Sequence, residues 1–179
     1  MHKKIRIIEV KSELGAGTRG ASLGPDAVKI AAFDYGSNLF NKIPSTEVPV
    51  DNKLLFEPQG SPYAKRLRPI VDIYERLGKT LVDTYKAKEF PIVLAGDHST
   101  AGGTIAGIKM AHPKARLGVI WIDAHADLHS PYTTPTGNVH GMPLAATLNE
   151  DNSANKMNKP DKEAVELWNK LKKVGGISP

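Results

Sequence analysis

The chain has 179 residues, 40% hydrophobic and 24% charged, with no cysteine and a formal net charge of +5. That length suffices for one domain with a sizeable core over 1–179, and the lack of thiols excludes disulfides and thiolate metal sites. No apolar run forms a signal peptide or approaches the roughly 20 residues of a membrane span, so the expectation is a cytoplasmic protein with no membrane partner. Nor does the positive charge point to nucleic acid. Lys156, Lys159, Lys162, Lys170, Lys172 and Lys173 are interleaved with Asp161, Glu163 and Glu166, the pattern of a solvated helix face.

Ile5 to Val10 reads as a first strand. Behind it, Gly15-Ala16-Gly17-Thr18-Arg19-Gly20 matches the glycine pattern of dinucleotide sites, but Gly24-Pro25 delays the next helix by several residues. That fingerprint needs the helix to open within the motif, with its N-terminus at the pyrophosphate, so nucleotide binding is set aside. A helix runs from Pro25 to about Asn38, with Pro25 and Asp26 suited to its first turn. Val48 to Val50 reads as a short second strand. Leu67, Ile70, Val71, Tyr74, Leu77, Leu81, Val82 and Tyr85 recur at helical spacing and predict an amphipathic helix over 64–88, its stripe being core packing. A third strand, Ile92 to Ala95, a glycine-rich helix, Thr100 to Ala111, and a fourth strand, Leu117 to Ile122, follow. Asn149 to Pro160 reads as a mobile polar loop. Asp161 caps a last helix that presents Ala164, Val165, Trp168 and Leu171 and stops before Gly175-Gly176. Strand and helix alternating in this way predict a parallel α/β sheet.

The chemistry-bearing residues gather at the ends of two of these strands. Asp123-Ala124-His125-Ala126-Asp127 follows the apolar run 117–122, and an extended backbone would send Asp123, His125 and Asp127 to one side. Oxygen ligands with imidazole and no sulfur suit a hard divalent ion such as manganese. Gly96-Asp97-His98-Ser99 stands at the end of the third strand, and open parallel sheets place their sites at such C-terminal ends. The segment from Ser130 to Gly141 is a long loop without periodicity, of the kind more often functional than idle.

With these motifs, Thr133-Thr134-Pro135-Thr136-Gly137-Asn138-Val139-His140-Gly141-Met142-Pro143 and, more weakly, Gly20-Ala21-Ser22-Leu23-Gly24-Pro25, the chain resembles the ureohydrolase superfamily and within it arginase. Agmatinase and formimidoylglutamase share the metal motifs; the Thr-Thr and Gly-Asn-x-His-Gly portion favours arginase. The resemblance implies a three-layer α/β/α fold whose eight parallel strands run in the order 2-1-3-8-7-4-5-6. It implies two Mn2+ ions, with His98 and Asp127 on one, His125 on the other and Asp123 bridging, and a hydroxide that attacks a guanidinium carbon. His140 aligns with the proton-shuttling histidine. Thr134, Thr136 and Asn138 align with residues holding the amino-acid end of a small guanidino substrate, and ordinary turn chemistry is the other reading of Thr136. A homo-oligomer at full length is also implied.

Two departures qualify the resemblance. His129 stands where most arginases have an Asn contacting the substrate carboxylate, and imidazole differs from an amide in size and protonation. The family's Asp-x-Asp motif and its later guanidinium-binding Glu have no counterpart here. After Asp127 the acidic residues are Glu150, Asp151, Asp161, Glu163 and Glu166, none behind an apolar strand. The expected fold is therefore partial, lacking the C-terminal strands, with strands 7 and 8 absent from between strands 3 and 4. Three readings stay open: the N-terminal part of an arginase-like manganese hydrolase, another ureohydrolase acting on agmatine, guanidinobutyrate or a formimino compound, and a non-catalytic metal-binding fragment.

Overall fold

Strand β1 (Lys4–Val10) organises the sheet in the computed structural model, which describes residues 4–174. Alternation splits its side chains between two faces. Ile8 and Val10 join the main apolar core, while Glu9 on the other face takes Lys29 Nζ at 2.6 Å. Lys29 belongs to α1 (Gly24–Asp34), which stops short of the predicted Asn38; a separate turn of helix, α2 (Leu39–Lys42), follows. Strand β2 (Ser45–Glu47) then pairs parallel with β1. The predicted Val48–Val50 strand is thus displaced by three residues. Ser45, Thr46 and Glu47 are exposed at a sheet edge and carry no apolar alternation for a sequence reading to detect, whereas Val48 is conspicuous because it is buried.

Helix α3 (Leu67–Lys86) carries the core and lies inside the predicted 64–88. Ile70, Leu77 and Leu81 are fully buried, and they pack with Ile8 and Val10 on one side and with Met142, Trp168 and Leu171 on the other. Each such side chain contributes roughly 1.5–3 kcal/mol by leaving water. Strand β3 (Glu89–Ala95) returns beside β1, with Ile7 opposite Ile92 and Val10 opposite Ala95. The sheet is parallel with order β2-β1-β3. The first crossover runs from β1 to β2 and the second back from β2 past β1 to β3, so the right-handed rule for these opposite directions puts α1 and α3 on opposite faces.

Helix α4 (Thr100–Ala111) explains its glycines by contact with α3. A Cβ on Gly107 would lie 2.6 Å from Leu81 Cδ1 and 2.9 Å from Gly78 Cα, and one on Gly102 would lie 2.3 Å from Tyr74 Oη. Tyr74 Oη donates to Ser99 O at 2.7 Å, and burial pushes its phenol pKa up, so it stays a donor. Two further helices complete the described fold, α5 (Pro143–Thr147) and α6 (Lys162–Lys173). Asp161 caps α6 as expected, accepting from Ala164 N at 2.8 Å; the predicted stop at Gly175-Gly176 lies outside the described residues.

The fourth predicted strand is not formed. Leu117–Ile122 belongs to no ladder, and Ile120 and Ile122 are 90% and 93% exposed. A strand exists only through a neighbour's hydrogen bonds, and among the described residues β3 is the last strand on that side. No helix of the described residues is long and apolar enough to cross a membrane.

The close α3/α4 approach sets a stability test. Gly107→Val should cost at least about 1–3 kcal/mol through overpacking, read as a lower urea midpoint with an unchanged slope, whereas an exposed substitution such as Lys114→Ala should leave the midpoint in place.

Candidate metal and substrate site

The site begins where the β1–β3 ladder runs off its end. Gly96 N donates to Val10 O at 2.9 Å and Asp97 N to Ser12 O at 2.7 Å. A Cβ on Gly96 would sit 2.2 Å from Ser12 O, so only glycine allows the two loops to close on each other. Asp97, buried at 4% exposure, then ties them together. Its Oδ2 accepts from Ser12 Oγ (2.8 Å) and Gly15 N (3.1 Å), and its Oδ1 from Ser99 N (2.9 Å). His98 is left projecting at the C-terminal ends of β1 and β3.

Around His98 the two acidic residues of the second motif assemble. Its Nδ1 lies 3.4 Å from Asp123 Oδ2 and 3.4 Å from Asp127 Oδ2. One ligand atom from each of the three residues falls within 4.8 Å of the others. Asp127 Oδ2 is buried and accepts no hydrogen bond, a costly state for a carboxylate oxygen. Its backbone has φ of 50°, in the left-handed region that non-glycine residues seldom occupy. Leu144 N and Ala145 N hold that conformation by donating to Asp127 O at 3.1 and 3.2 Å. The donor set, two carboxylates and one imidazole with an unpartnered buried oxygen, fits a hard divalent cation.

His125 stands apart from this group. The chain bends at Ala124 and His125 instead of running extended, so alternation no longer carries His125 with its neighbours. Its side chain is 83% exposed, and its Nδ1 is 3.3 Å from Asp123 Oδ1. The His125 backbone N–H also donates to that oxygen at 2.7 Å, and this bond, helped by the His98 and His125 rings, holds the Asp123 carboxyl below the usual carboxylate range.

An open cleft of about 760 Å³ joins His98, His125 and Asp127 to His129, Thr134, Thr136, Asn138 and His140. The threonine hydroxyls also shape the loop: Thr134 Oγ1 accepts from Gly137 N at 2.9 Å and Thr136 Oγ1 from Asn138 N at 3.2 Å. His129 is pinned through its N–H to Gly141 O at 3.1 Å, with Nδ1 3.3 Å from Thr133 Oγ1.

Three features went unrecognised in the sequence. Trp121 stacks on His98, with ring centroids 5.1 Å apart and planes at 25°; its signal is that it precedes Asp123 by two residues. Asp97 is the clamp described above, and the mark it leaves in sequence is an acidic residue between the glycine that follows a strand and a histidine. The segment Asn149–Pro160, expected to be mobile, is fastened at several points and brings Asn152 and Asn155 to the cleft. Asn158 Nδ2 donates to Thr134 O at 2.6 Å, and Asp151 Oδ1 accepts from Trp168 Nε1 at 2.7 Å and Lys172 Nζ at 2.6 Å. Lys172, expected on a solvated face, is therefore buried at 7% exposure because it neutralises Asp151.

A parallel sheet with His98 just past the C-terminal end of β3, and Asp123 and Asp127 gathered around it, defines a parallel α/β protein with a candidate cation site. Residues 3–162 match the family model described as the Arginase family. The chain is 35% identical to the arginase of Bacillus caldovelox over 179 residues, covering 99% of this chain and 54% of that one. The solved structure of that arginase is similar at a TM-score of 0.77 and 34% identity, again covering 99% and 54%. Entamoeba histolytica arginase in complex with L-ornithine is similar at a TM-score of 0.72 and 28% identity, covering 93% and 53%. The chain belongs to the arginase family and spans about half the length of the curated relatives it matches.

The loop after β1 supplies a pH test through Glu13, whose side chain is 1% exposed. Burial alone would push its carboxyl up. Ser22 Oγ (2.8 Å), Gly20 N (2.7 Å) and Ser22 N (3.2 Å) donate to Oε1, and with the Arg19 charge they outweigh burial and lower the pKa. A lowered folded pKa gives stability that is present above the unfolded value, about 4.3, and lost as pH falls through the folded one. Glu13→Gln should thus cost about 2 kcal/mol at pH 7, and thermal melts between pH 7 and 3 should show wild type and variant converging on the acid side.

Proposed function

We propose that this chain is the N-terminal part of an arginase-like binuclear manganese hydrolase that cleaves arginine to ornithine and urea. The observation that carries the reading is the unpartnered, buried Asp127 Oδ2 beside His98 and Asp123. Family membership supports it, as does the relative whose structure is named as a complex with L-ornithine. His98, Asp123 and Asp127 would hold one divalent cation, and Asp123 with His125 would contribute to the second. When bound, such cations supply Lewis acidity and make water nucleophilic near neutral pH.

The remaining work falls to the chain's own side chains. His140 moves a proton toward the departing amine, a task suited to imidazole at neutral pH. Thr134, Thr136 and Asn138 orient the amino-acid end of the substrate through hydroxyl and amide contacts, and His129 reads its carboxylate in place of an amide. That replacement is the specific observation favouring a second substrate choice, another guanidino or formimino compound, within the same reaction class. A cytoplasmic location and a homo-oligomer at full length belong to the same proposal.

The 179 residues contain neither the family's Asp-x-Asp carboxylates nor its guanidinium-binding Glu. The chain alone should therefore leave the substrate unoriented and release no urea above background from arginine with manganese. Asp123→Ala should lower manganese content, by elemental analysis, more than any other single change, because Asp123 faces both histidines. Clear turnover by the isolated chain, abolished by His140→Ala, would contradict the proposal that carboxylates from outside these residues are required.

A further inference from the structure

His140 directs two nitrogens at one atom. Its backbone N lies 3.2 Å from Gly15 O, and its ring Nδ1 lies 3.1 Å from the same oxygen. A carbonyl oxygen only accepts, so Nδ1 carries the proton. In the neutral ring Nε2 is then the nitrogen with the free lone pair. His140 borders the cleft, and Nδ1 is already committed to Gly15.

Gly15 is itself held with little latitude. Its N–H donates to Asp97 Oδ2 at 3.1 Å, and a Cβ there would lie 2.4 Å from both Asp97 Oδ1 and Ser99 Cβ. Asp97 is buried and also accepts from Ser12 Oγ and Ser99 N. We infer that the Gly15 carbonyl, seated by the buried Asp97 carboxylate, is a positioning group that fixes His140 as its Nδ1–H tautomer and offers Nε2 to the cleft. The glycine pattern at 15–20, set aside in the sequence as a dinucleotide site, thereby acquires a use. Gly15 must lack a side chain so that its carbonyl reaches His140.

The inference rests on the proposed function only for what His140 does with the proton. Nε2 takes a proton from water, the ring becomes an imidazolium protonated on both nitrogens, and the same proton leaves Nε2 for the departing amine nitrogen. The other proton stays on Nδ1, donated to Gly15 O, throughout. Asp97 also fixes the loop that carries His98, so one carboxylate sets the relative placement of the cation ligand and the proton carrier.

The test is the nitrogen-15 spectrum of histidine-labelled protein, full chain and metal-free, at about pH 8.5, above the ordinary imidazole pKa of about 6.5. His140, identified by its loss in His140→Ala, should show the Nδ1–H pattern. Gly15→Ala and Asp97→Asn should each lose that pattern's predominance, and circular dichroism would report whether either variant has unfolded. A folded Asp97→Asn that keeps the Nδ1–H pattern as fully as the wild type would overturn the role given to Asp97. An Nε2–H pattern in the wild type overturns the inference whatever the protein does with manganese. An Nδ1–H pattern in a chain that binds no manganese upholds it and counts against the metal reading instead.

Discussion

A single buried carboxylate joins the parts of this structure that matter for chemistry. Asp97 sits just past the C-terminal end of β3 and accepts hydrogen bonds from the loop after β1 and from the start of α4. Each bond to a charged acceptor contributes roughly 1.5–3 kcal/mol, and removing the carboxylate would strand three buried donors. Tyr74 braces the same corner from α3 by donating to Ser99 O. The core beneath the site and the loops above it are thus mechanically one unit, which is what a constellation of charged side chains needs if it is to hold its geometry.

The charged residues placed on that corner conflict with simple stability. Asp127 keeps an unusual backbone conformation and a buried oxygen with no donor, and Asp123 points its carboxylate at the same histidine. Arrangements of this kind persist where the surroundings over-determine them, and they cluster at functional sites. Here the surroundings are α5, which fixes the Asp127 backbone, and Trp121, which stacks on His98.

Much of this was legible in the sequence because it rests on local patterns. The periodicity of Leu67 to Tyr85 located α3, the apolar run ending at Ala95 located β3, and the Gly-Asp-His and Asp-x-His-x-Asp motifs located the cluster. What escaped depended on partners distant in sequence. Ser45–Glu47 is a strand only because β1 pairs with it, and Leu117–Ile122 fails to be one because no strand lies beside it among the described residues. The bend at Ala124 and His125, which sets His125 beside Asp123 but outside the group of His98, Asp123 and Asp127, leaves no trace in an alternating pattern. The anchoring of Asn149–Pro160 likewise comes from Asp151 meeting Trp168 and Lys172, a contact that composition alone reads as two solvated segments.

The central claim is that His98, Asp123 and Asp127 form a cation site as the chain is folded here. Thermal unfolding of the metal-free chain with increasing Mn2+ tests it most directly, since a ligand that binds only the folded state stabilises by about 2.7 kcal/mol at 100 times its Kd. The account predicts a melting temperature that climbs with Mn2+ in the wild type and stays flat in Asp127→Asn, which keeps the size of the side chain and removes its charge. A wild type indifferent to Mn2+, or an Asp127→Asn variant that gains as much as the wild type, would contradict it.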